Sequence, residues 1–102
     1  MNAKTINLKF MPYAQAHVNV YPESKTRCLI SYRTRVAELT DDGWLYIEKE
    51  ATCSRTIGRH VTAFLKEYAP HLVEPYRLAK DLAHDHMAMN IHTGELKEWT
   101  AA

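Results

Sequence analysis

The sequence predicts an α+β fold: a small antiparallel sheet of two to three strands, with a hairpin over about residues 27–50, packed against two helices over about 56–68 and 75–89. Two observations carry the sheet. Apolar and polar residues alternate with a period of two from Arg27 to Ala37 and again from Trp44 to Glu50, and Thr40, Asp41, Asp42 and Gly43 stand between the runs. A third carries the helices: Ile57, Val61, Phe64, Leu65 and Tyr68 recur at the spacing of one helical face. With 102 residues the chain has room for one hydrophobic core, so residues 1–102 are read as a single domain.

The elements follow in order. His17 to Tyr21 alternates weakly before a Pro-Glu-Ser-Lys turn and is a candidate third strand, while residues 1–16 carry no decisive pattern. From Arg27, the set Cys28, Ile30, Tyr32, Thr34 and Val36 is expected to face the core and Arg27, Ser31, Arg33 and Arg35 the solvent, along one strand. Aspartates that bond their own backbone and a glycine tolerant of positive φ then turn the chain. In the returning strand Leu45 and Ile47 point one way, Trp44, Tyr46 and Glu48 the other, which sets Arg35 near Glu48 and Arg33 near Glu50. Ser54 or Thr56 caps the first helix and Pro70 ends it. Pro75 opens the second, with Leu78, Ala79, Leu82, His86 and Met89 inward. In the closing segment, Asn90 to Ala102, a His-Thr-Gly turn precedes Leu96 and Trp99, the expected anchors of a short terminal element.

Composition narrows the functional classes. Hydrophobic residues make up 46% and charged residues 25%, with no apolar run long enough to span a membrane, so no membrane partner is expected. The opening residues lack the apolar stretch of a signal peptide, and two cysteines cannot staple a secreted scaffold, so reduced thiols and a cytoplasmic setting are expected. The net charge of +1 conceals a gradient: residues 25–66 hold eight Lys/Arg against five Asp/Glu, residues 67–102 three against six.

Arg55 and Arg59 stand one turn apart at the start of the first helix, where the dipole favours acids. They read either as a solvated face or as a site for a phosphate or carboxylate. Taken with Arg33 and Arg35 of the strand, and with Trp44 and Tyr46 as aromatic partners, they outline a basic surface spanning strand and helix. The same aromatic residues read equally as cover for the second face of a sheet. Cys53 before the helix reads as a buried hydrophobe sooner than as an activated thiolate with His60 as base. His84 and His86 are two apart and do not converge on a metal, and Asp81, His84 and Asp85 share a solvated face. The chain carries no phosphate loop, nucleophile elbow, His-Glu-x-x-His helix or Cys-x-x-Cys pair, so no catalytic residue, metal or cofactor is assigned.

The strand motif Tyr32-x-Thr34-x-Val36-Ala37, the pair Leu45-Tyr46, and the helix motif Ser54-x-Thr56-x-x-Arg59-His60-Val61-x-x-Phe64-Leu65 resemble a small uncharacterised domain of phage and prophage proteins. That resemblance implies no activity and no cofactor. It groups Thr34, Ser54, Thr56, Arg59 and His60 as one set, explained either by caps and a bond from His60 to the neighbouring strand or by a ligand site in which Arg59 and His60 present donors. The expected function is that of a phage-type accessory protein, non-catalytic, in the cytoplasm of a bacterial host. Its ligand residues would be Arg33, Arg35, Arg55, Arg59 and His60, and its partner nucleic acid or an acidic protein patch. The alternative is an inhibitor of a host defence or transcription factor, anchored by Trp44 and Tyr46. An exposed edge of the hairpin leaves room for a homodimer.

Overall fold

The computed structural model describes residues 3–99. Strands β1 (Lys4–Asn7), β2 (Ala16–Tyr21), β3 (Thr26–Ser31), β4 (Thr34–Leu39) and β5 (Trp44–Ile47) are followed by a 3₁₀ turn, Lys49–Thr52. Helices α1 (Arg55–Tyr68) and α2 (Pro75–Asp85) come next, and β6 (Met87–Asn90) and β7 (Leu96–Glu98) close the chain. The class is α+β as expected, but the sheet has seven antiparallel strands in chain order, not two or three.

The first reason for the undercount is at Tyr32. The expected single strand from Arg27 is two strands joined by a two-residue turn, Tyr32–Arg33, in which Tyr32 takes a φ of 59° and its N–H donates to the Gln15 carbonyl. Left-handed backbone is unfavourable for an aromatic residue, so periodicity gave no warning of it. The turn places Ser31 opposite Thr34, and a β-bulge then sets Leu29 opposite Ala37, with Val36 as the extra residue. Val36 and Ala37 are therefore both buried. Leu29 and Ser31 face the helices where Cys28 and Ile30 were expected to, and Arg27 lies under α1 with its guanidinium 5.0 Å from the Tyr68 ring centre.

The second reason is at His86. A left-handed His86 (φ 55°) ends α2 four residues after Leu82, and Met87–Asn90 pairs with β5, Leu45 opposite Met89. Strand pairing, invisible to a local pattern, overrides the helical spacing of His86 and Met89. Both edges of the expected hairpin are thereby occupied, by β2 and β6, and the unpaired sheet edges among the described residues are β1 and β7. Leu96 in β7 is exposed, while Trp99 packs edge-on against Tyr46; the last three residues of the closing segment lie outside the described residues.

The core lies between one sheet face and the helices. Ile6, Val18, Leu29, Ala37 and Ile47 are in register across five strands. They meet the α1 stripe of Val61, Phe64 and Leu65, each 0% exposed, while α2 contributes Ala79 and Leu82 and crosses β5 and β6. No helix among the described residues covers the other sheet face. Among the described residues no helix is long and apolar enough to cross a membrane.

Candidate anion-binding groove

Ser54 is the N-cap of α1: its backbone is extended and its hydroxyl accepts the Ile57 N–H at 3.1 Å. No acid stands in the first turn, so the positive end of the helix keeps its arginines. One turn in, Gly58 is buried, and a Cβ there would lie 2.5 Å from Cε1 of Tyr76. Glycine thus allows the Tyr76 ring to lie directly on the α1 backbone. The result is an open cleft of ≈ 430 Å³ with Ser54, Arg55, Arg59 and Thr62 on the α1 side, Tyr76 on the α2 side, and Cys53 at one end.

Two neighbouring clefts share lining residues with this one. Arg59 and Thr62 also line a cleft of ≈ 260 Å³ with Phe10, Met11 and Lys66. Cys53 also lines one of ≈ 670 Å³ with Lys49, Lys80, His84, His86 and a single carboxylate, Asp81. Lys49, Arg55, Arg59, Lys66 and Lys80 therefore line three neighbouring clefts on the helical side of the molecule. The ion pairs among the described residues, Arg35 with Glu38 and Glu48 and His84 with Asp85, include none of these five.

The expected site residues are divided by the sheet. Arg55 and Arg59 come together in the groove. Arg33 is exposed in the β3–β4 turn, which lies beside α1 because Tyr32 meets the His60 ring at 5.8 Å. Arg35 is on the opposite face and is 3.4 Å from both Glu38 and Glu48, the latter as the hairpin pattern predicts. Trp44 and Tyr46 are also on that face, half-buried beneath Lys97, whose Nζ lies 4.2 Å and 5.3 Å from their ring centres. The continuous basic surface from strand to helix does not form, because a two-residue turn and a bulge put Arg35 on the side away from α1.

His60 is 2% exposed, and its Nδ1 is 2.8 Å from the hydroxyl of Ser31 on β3, opposite Thr34. Burial penalises the imidazolium and lowers the His60 pKa from its ordinary 6.5. An unfolded chain, with an ordinary histidine, then takes up a proton that the folded chain refuses. Stability is expected to be full above pH 6.5, to fall as the pH drops below that value, and to level once the folded imidazole is protonated. Melting temperatures of the wild type and of His60→Asn, measured between about pH 7 and pH 5, check this: the variant should show the shallower decline.

The thiols differ. Cys28 is buried beside Glu38, and burial followed by the glutamate's charge pushes its pKa up to about 11. Cys53 is exposed, its Sγ donating to the Lys49 carbonyl at 3.6 Å. Among the described residues no group of three His, Cys, Asp or Glu side chains is placed to hold a metal. Thr56 is exposed in the first turn of α1.

Phe10, Tyr76 and Ser31 were not singled out by the sequence. Phe10 and Tyr76 stand in segments whose contact with α1 is tertiary, and Ser31 was assigned to solvent by the parity of an unbroken strand. The one local signal is Gly58, a glycine in the apolar stripe of a helix, which marks close approach by another element.

Fold and groove define an α+β protein with a cation-lined surface across its helical layer. Residues 4–77 match a family of unknown function, DUF8033, and the chain belongs to that family. The match runs from β1 to the first turn of α2 and takes in Phe10, Arg55, Arg59 and Tyr76. Comparison with curated proteins gives no match, and comparison with solved structures gives none.

Proposed function

We propose that this protein is a non-catalytic binding module that holds an anionic partner in the groove along α1. The observation that supports this reading is the grouping of Arg55 and Arg59 in one cleft, with hydroxyl groups around them and no ion pair to either among the described residues. Uncompensated guanidinium groups on a concave wall favour phosphate or carboxylate oxygens, with charge-assisted hydrogen bonds stronger than neutral ones. The resemblance to phage and prophage domains supports an accessory role of this kind inside a bacterial host.

Inorganic polyphosphate, a polyanion without bases or side chains, is a suitable probe. The wild type is expected to bind it at low salt, and Arg55→Ala/Arg59→Ala to lose about tenfold or more in affinity, with Arg35→Ala unchanged because Arg35 is on the far face and already paired. Equal binding by the double variant would remove the basis of the reading.

The competing reading, an inhibitor that captures a host protein, draws on the uncovered sheet face. There Trp44, Tyr46 and Trp99 form an aromatic group, with Tyr46 and Trp99 edge-to-face at 5.2 Å. It predicts that Trp44→Ala abolishes capture while Arg55→Ala/Arg59→Ala does not.

A further inference from the structure

Resting on the anion-binding reading, we infer that the partner held in this groove is single-stranded nucleic acid. Charge alone does not choose between a phosphodiester chain, a duplex and an acidic peptide; the aromatic residues do. Arg55, Arg59 and Lys66 fall four and eleven residues apart on α1, so they share one face over about 16 Å of helix. Arg59, in the middle, lines two adjoining clefts, and each contains one partly exposed ring: Tyr76, 39% exposed, and Phe10, 53% exposed.

Cations that follow a backbone, flanked by rings on which bases stack, form the arrangement that binds single strands. A duplex keeps its bases stacked inside and has no use for the rings, and a peptide of Asp and Glu has no aromatic bases to stack on them. The Phe10 ring also has the Lys9 ammonium 5.5 Å from its centre. Two acids border the surface: Asp81 lines the third cleft, and Glu67 accepts the Lys9 backbone N–H at 2.8 Å. Neither lines the two clefts that carry the rings.

The test is fluorescence anisotropy with labelled oligothymidylate and oligouridylate of about 12 nucleotides, set against polyphosphate, polyglutamate and duplex DNA as competitors. The expected result is binding of at least one of the oligonucleotides about tenfold tighter than polyphosphate, with Tyr76→Ala and Phe10→Ala each losing about tenfold at an unchanged salt dependence. Tyr76→Phe, which keeps the ring, should retain wild-type affinity, and this separates stacking from damage to the fold. Arg55→Ala/Arg59→Ala should instead reduce the slope of log affinity against log salt by about 1.4, or 0.7 for each lost phosphate contact. If polyphosphate binds as tightly as both oligonucleotides and Tyr76→Ala has no effect, the anion-binding reading stands and this inference is overturned. Preference for the duplex or for polyglutamate overturns it as well. Failure to bind any of these polyanions removes both readings.

Discussion

Phe64→Ala is expected to cost about 3–5 kcal/mol of folding stability, the range for emptying a fully buried aromatic position. Phe64 is 0% exposed, its ring centre lies 5.1 Å from that of Tyr68, and it belongs to the α1 stripe that closes the core. Against a total stability of about 5–15 kcal/mol for a domain of this size, the loss is a large fraction. At roughly 4–8 °C for each kcal/mol, the melting temperature should drop by about 12–40 °C. Urea denaturation checks the mechanism: the midpoint should fall at an unchanged m-value, since the surface exposed on unfolding is nearly the same. A loss under about 1 kcal/mol would show that α1 does not close the core as described.

Ser31→Ala is expected to be the next most damaging of the changes considered, at about 1–3 kcal/mol, because it leaves Nδ1 of a buried imidazole without a partner. The serine is 1% exposed and the bond to His60 is 2.8 Å. It joins β3 to α1 next to the turn that carries Tyr32 and Arg33, so it positions that turn beside α1. A double-mutant cycle separates the pair from its surroundings. Ser31→Ala/His60→Leu should cost less than the sum of the single changes, since removing both polar groups leaves none unpaired. Additive losses would deny the coupling. The acid sensitivity argued for His60 has its own cause, burial of the imidazole, and the cycle measures the bond to Ser31 separately.

Part of the candidate site was legible in the chain. Arg55 and Arg59 are one turn apart at a helix start with no acid in its first turn, where the dipole favours acids. Ser54 as the cap could also be read, since a hydroxyl just before an apolar stripe has one obvious use. Arg35 beside Glu48 was expected from hairpin pairing, whereas Arg33, expected near Glu50, is in the β3–β4 turn instead. His60 was placed in the right element and given two roles; it is 2% exposed, with its Nδ1 against the Ser31 hydroxyl. Phe10 and Tyr76 were out of reach, because their place beside Arg59 depends on how a loop and a second helix dock on α1.

What the sequence determined by itself is the mixed class, the α1 stripe, the opposed faces of Trp44–Ile47, and the cationic start of α1. Each rests on interactions between residues a few positions apart, where period and capping act directly. Tertiary structure alone decided the seven-stranded order, the division of the strand at Tyr32, the early end of α2 at His86, and the separation of Arg35 from Arg55 and Arg59. The reason is the same in all four. Strand pairing and core contact reward residues far apart in the chain, and they are strong enough to hold Tyr32 in left-handed backbone that local preference disfavours.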